Sequence, residues 1–92
     1  MSLSNYCFIK DELSDAALYE QLAEECVELA HACQKKARYL RDENPTPLSP
    51  NEIDGMIEEE FTDVMLVCNI LGLSIDFDAY YKKIDRWADR LS

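Results

Sequence analysis

Apolar residues recur at helical spacing through most of this chain. After Ser14, the residues Leu18, Leu22, Leu29, Cys33 and Leu40 fall within about 60° of one another on a helical wheel, which predicts a helix over residues 15–41. Ser14 is its N-cap, and acids follow in the first turn. A second stripe, Ile53, Ile57, Val64, Val67 and Leu71, predicts a helix over 50–71. Its start is marked by Ser49 with Glu52 three residues later, a capping-box pattern, and by Pro50 at the first helical position; Gly72 terminates it. A third helix runs from 76 or 78 to 91, and residues 5–13 form a weaker helical segment. Prolines at 45, 47 and 50 make the stretch 43–50 a loop. The expected fold is all-α: a single domain over 1–92 with two long antiparallel helices and a shorter C-terminal helix.

Charge sharpens this picture. Nineteen acids against nine bases give a formal net charge of −10. Binding nucleic acid through this surface would need lysine and arginine against phosphate, so a nucleic-acid partner is not expected. No apolar run approaches the ~20 residues of a membrane-spanning helix, and no signal-peptide pattern opens the chain. After Lys10 the bases form two clusters, Lys35, Lys36, Arg38, Arg41 and Lys82, Lys83, Arg86, Arg90, with ten acids and no base between Arg41 and Lys82. Those carboxylates face water, meet bases from another segment, or meet a cation.

Two helices carry an acid in the middle of the apolar face. Relative to Leu18, Glu25 falls at about −20°, with Glu28 about 60° further round; relative to Ile53, Glu60 falls at about −20°, with Asp63 again about 60° away. A single acid in a stripe can swing out to water, but the duplicated arrangement is harder to account for that way. Buried carboxylates without partners are costly, and four together repel. A hard divalent cation, Mg²⁺ or Mn²⁺, relieves both penalties by taking several carboxylate oxygens. If the helices pack antiparallel, Glu25, Glu28, Glu60 and Asp63 converge into one cluster. Glu24, about 100° from Glu25, is either a proton-accepting neighbour of that site or a surface acid, and Glu52, Asp54, Glu58 and Glu59 read as a solvated face.

The four cysteines, Cys7, Cys26, Cys33 and Cys68, form no C-x-x-C pair. Cys26 and Cys33 stand about 10 Å apart along a helix, beyond disulfide reach. They are expected to be buried, reduced thiols of a cytoplasmic protein.

At its acids the sequence resembles the MazG-like all-α nucleoside triphosphate pyrophosphohydrolases, whose hallmark is E-E-x-x-E on one helix and E-x-x-D on the next. Here these read Glu24-Glu25-Cys26-Val27-Glu28 and Glu60-Phe61-Thr62-Asp63. The likeness extends from about Leu18 to the Arg86–Trp87 region, and the long link from Glu28 to Glu60 is closer to small, phage-type members. The resemblance implies hydrolysis of an NTP or dNTP between its α- and β-phosphates, giving a monophosphate and pyrophosphate. It implies Mg²⁺, with Mn²⁺ as an alternative, held by Glu25, Glu28, Glu60 and Asp63, and it places Glu24 among the catalytic acids. Bases must hold the triphosphate; Lys83 and Arg86 are candidates, as is Lys36, which shares the wheel position of Leu18. Snorkelling on amphipathic faces is the competing reading for all three.

Two other readings compete. Glu28-Leu29-Ala30-His31 is formally the E-x-x-H of di-iron carboxylate bundles, which a homodimer would complete, although His31 points away from the stripe. Alternatively, the protein is a non-enzymatic acidic helical interaction module. Tyr19, Tyr39, Tyr80, Tyr81 and Trp87 are candidate base-stacking residues, although such residues more often serve simply as core or interface.

A homo-oligomer, most simply a homodimer, is expected from geometry, and the resemblance implies a homodimer or homotetramer. A helix over 15–41 is about 40 Å long, longer than a 92-residue globule is wide, and Phe61, Met65 and Cys68 are apolar positions outside the second stripe. A second copy would complete a four-helix core. The alternative cover is the N-terminal segment with Tyr6, Phe8, Ile9 and Leu13.

Overall fold

The computed structural model describes residues 3–43 and 48–92; the expected proline loop at 45 and 47 lies outside the described residues. Four helices follow in order: α1 (Leu3–Glu12), α2 (Asp15–Arg41), α3 (Pro50–Leu71) and α4 (Phe77–Leu91), with no strand among the described residues. The chain is all-α.

Local chemistry sets the boundaries. Ser14 is extended (φ −68°, ψ 159°) and its Oγ accepts the Ala17 N–H at 3.1 Å, which starts α2. Ser49 does the same for α3, accepting the Glu52 N–H at 3.2 Å with Pro50 in the first turn. The carboxylate of Asp76 accepts the Ala79 N–H at 3.0 Å and starts α4. Gly72 ends α3 at φ 73°, where the Gly72 N–H bonds to the Asn69 carbonyl and the Leu73 N–H to the Cys68 carbonyl. Asp42 ends α2 in the same manner at φ 55°, with its N–H on Tyr39 and that of Glu43 on Arg38. A left-handed conformation costs a residue with a side chain about 1 kcal/mol or more; Asp is among the few that tolerate it.

Among the described residues, only α2 and α3 pack extensively on each other. They run antiparallel, since Lys36 meets Asp54 while Glu25 and Glu28 meet Glu60 and Asp63. Leu18 and Ala32 of α2 and Ile53, Val67 and Ile70 of α3 are the buried apolar residues. Each fully buried Leu, Ile or Val contributes about 1.5–3 kcal/mol, so the core of one chain is small. It is also narrower than the stripes predict: Leu22, Leu29, Ile57, Val64 and Leu71 are half-buried, Cys33 is exposed, and Leu40 is 69% exposed.

The cysteine expectation needs correcting. All four thiols are free, but Cys7, Cys26 and Cys33 are exposed and Cys68 is half-buried. Cys26 and Cys33 sit on parts of α2 that α3 leaves uncovered, and Cys7 is on α1, which buries no residue. The five aromatic candidates are not core residues either, each being at least 36% exposed.

α1 buries no residue of its own, but Ile9 and the following Leu13 line an open groove with Leu18 and Ile70 at one end of the pair. Phe8 remains 62% exposed. On α4 the residues Tyr80, Ile84, Trp87 and Leu91 form one apolar stripe that lies open to solvent. The Cα radius of gyration is 16.9 Å, against about 12 Å for a compact chain of this length. No helix is long and apolar enough to cross a membrane among the described residues.

Candidate metal centre

Glu25 and Glu28 stand one turn apart on α2, and Glu60 and Asp63 one turn apart on α3. Antiparallel packing brings the two pairs face to face. One carboxylate oxygen from each of the four residues lies within 4.8 Å of all the others. Glu25, Glu60 and Asp63 are half-buried and Glu28 is exposed, so the cluster opens to solvent on one side.

Two atoms in this cluster have no partner. Oε2 of Glu25 and Oε2 of Glu60 are buried and accept no hydrogen bond. A buried acceptor left unsatisfied is unfavourable, more so when it carries charge. The Glu60 carboxyl is accordingly held above its usual value of 4.5. Desolvation is the largest cause, followed by hydrogen bonding to Glu28 and by the negative charges of Glu28, Asp63 and Glu25. Four carboxylates that each offer a hard oxygen donor, with a buried unpartnered oxygen on two of them, fit Mg²⁺ or Mn²⁺. No soft donor belongs to the cluster.

The other site candidates lie elsewhere. Glu24 is exposed and outside the cluster. Lys36 is paired with Asp54, Nζ to Oδ1 at 2.6 Å, about 12 Å along α2 from Glu28. Lys83 and Arg86 are exposed on α4, which does not pack extensively on either long helix, and no ion pair links them to the acids. His31 is exposed and outside the cluster, so the E-x-x-H pattern does not contribute its histidine there.

Two features escaped the sequence reading. Gln21 donates from Nε2 to Oε1 of Glu25 at 2.7 Å. Its signal was the spacing of four residues, which sets two side chains one above the other on a helix. The second is a groove of ≈ 230 Å³ beside the acids, where Ile9, Leu13, Leu18, Leu66, Val67 and Ile70 surround Gln21, Glu25 and Asp63. It depends on where Ile9 and Leu13 stand relative to the helix pair, which periodicity within α1 does not encode.

Comparison with protein-family models, with curated proteins and with solved structures returns no match for this chain.

Proposed function

We propose that the protein is a Mg²⁺-dependent nucleoside triphosphate pyrophosphohydrolase that works as a homodimer or homotetramer in the cytoplasm. The observation that carries this reading is the convergence of Glu25, Glu28, Glu60 and Asp63, with two buried oxygens that accept no hydrogen bond among the described residues. The resemblance of Glu24–Glu28 and Glu60–Asp63 to the MazG-like motifs supplies the reaction.

Glu25, Glu28, Glu60 and Asp63 would hold Mg²⁺ or Mn²⁺. Such a cation, when bound, neutralises phosphate oxygens and lowers the pKa of water. The chain's own contribution is orientation and charge. Two helices hold four carboxylates at close quarters, and Gln21 fixes one oxygen of Glu25. The exposed side of Glu28 leaves an approach for a polyphosphate, and the apolar groove beside Glu25 and Asp63 offers a dry surface for the rest of a nucleotide. Glu24 lies next to the cluster on α2, where its exposed carboxylate is available to accept a proton.

Polyphosphate binding also needs cations. Lys83 and Arg86 are the candidates, and in one chain they lie on a helix that does not pack extensively on α2 or α3. Association of copies supplies both what α4 lacks, a partner for its apolar stripe, and what the acids lack, a source of bases. The excess radius of gyration and the small core support that assembly. Four unpaired thiols are compatible with a reducing compartment.

The test is a panel of canonical and damaged NTPs and dNTPs, with Mg²⁺ and with Mn²⁺, read by pyrophosphate release. Release from at least one nucleotide, abolished by chelation, is expected. A panel without turnover under either metal removes the enzyme reading and leaves an acidic interaction module.

A further inference from the structure

Gln21 lies one helical turn before Glu25 and lines the groove that adjoins the acidic cluster. Its amide donates to Oε1 of Glu25 at 2.7 Å. A carboxylate only accepts, so the amide must present its N–H₂ to it. The two oxygens of Glu25 are therefore unlike: Oε1 is bonded, whereas Oε2 is buried without a partner. A free glutamate has several side-chain rotamers and two equivalent oxygens; this one has a fixed oxygen and an unsatisfied one.

We propose that Gln21 is a positioning residue for cation binding, holding Glu25 so that Oε2 is the oxygen offered to the metal. The inference rests on the metal reading of the cluster and adds a residue to it. The residue type suits the task. Lysine at this position would donate the same bond but bring a positive charge beside the ion. Glutamate would add a fifth negative charge and donate nothing. A neutral amide restrains the ligand without competing with the cation or adding to the crowding that already raises the Glu60 carboxyl. Groups that orient a metal ligand typically change metal affinity by about 10–100-fold when removed.

The position permits a clean substitution, because Gln21 is exposed and Met is a comparable helix former of similar length. Mn²⁺ affinity is measured by calorimetry on wild type, Gln21→Met and Gln21→Glu, together with far-UV circular dichroism and the melting temperature of each metal-free protein. Gln21→Met is expected to bind Mn²⁺ about ten-fold more weakly than wild type, with unchanged helicity and metal-free melting temperature, and Gln21→Glu, which cannot donate when ionised, is expected to lose as much. A wild type that binds Mn²⁺ no better than Gln21→Met overturns the positioning role while leaving the metal site intact. A wild type that takes up no Mn²⁺ overturns the metal reading and the positioning role with it.

Discussion

Nζ of Lys36 lies 2.6 Å from Oδ1 of Asp54, and this ion pair joins α2 to α3 about three turns from Glu25 along the same face. Because α2 and α3 are antiparallel, the pair and the acidic cluster report one register: a slip of one turn would part Lys36 from Asp54 and Glu28 from Glu60 together. The role this geometry assigns to Lys36 is in holding the helix pair. Side-chain exposures of 26% and 54% limit its strength. A double-mutant cycle of Lys36→Met and Asp54→Asn is therefore expected to give a coupling of about 0.3–1 kcal/mol, reduced by salt. Neither variant should change KM for the nucleotide. A large KM effect in Lys36→Met alone would make Lys36 a phosphate ligand.

Glu60→Gln is expected to abolish turnover and to stabilise the metal-free protein. The folded-state pKa of Glu60 is raised above 4.5, so the folded form holds this proton more tightly than the unfolded form does. The contribution of Glu60 to stability is fully present below about pH 4.5 and is lost as pH rises through the elevated value. Metal-free wild type should therefore lose stability relative to Glu60→Gln as pH is raised from 4 to 8. Melting curves of the two proteins across that range check this; parallel curves would mean that Glu60 carries no excess repulsion. Saturating Mg²⁺ should reverse the ranking at neutral pH, because wild type alone gains from the ion.

Much of this architecture was legible in the sequence because its determinants are local. Ser14, Ser49 and Gly72 each act within four residues and bound their helices where the pattern places them. The cap at Asp76 decides the start that the pattern leaves at 76 or 78. The acids were legible for a related reason: Glu25 and Glu60 interrupt otherwise apolar faces, and two faces that must meet bring their interruptions together. What escaped depends on packing between distant segments. Leu40 and Cys33 obey the helical period yet stay exposed, since the partner helix does not cover them. The αL end at Asp42 had no glycine to mark it. Gln21 reads as an ordinary polar residue until Glu25 is known to point inward.

Alanine at Lys83 or Arg86 should raise KM or lower kcat without altering Mn²⁺ affinity. Since α4 does not pack extensively on the helices that carry the acids of its own chain, an inactive Lys83→Ala, Arg86→Ala double variant mixed with inactive Glu60→Gln should regain activity through mixed oligomers. Steady-state kinetics on the mixture provides the check. Wild-type kinetics in both single variants would reduce the two bases to surface charges.

Trp87 is 64% exposed and Ile84 47% exposed on the stripe of α4. An aspartate at Ile84 would place a charge in any contact that covers this stripe, at a cost of several kcal/mol per unpaired buried charge. Ile84→Asp is expected to shift the protein towards the monomer mass in light scattering and to reduce activity in proportion. A wild-type species near 10.6 kDa that is stable and active at low micromolar concentration would end the oligomer proposal.

The central claim is cleavage of a triphosphate between its α- and β-phosphorus atoms at the Glu25–Glu28–Glu60–Asp63 cluster. Phosphorus NMR of the products, after incubation of the best nucleotide of the panel with protein and Mg²⁺, tests it most directly. The account predicts resonances of nucleoside monophosphate and pyrophosphate in equal amounts, absent with chelator and absent with Glu60→Gln. Nucleoside diphosphate with orthophosphate, or equal turnover by Glu60→Gln, would contradict it.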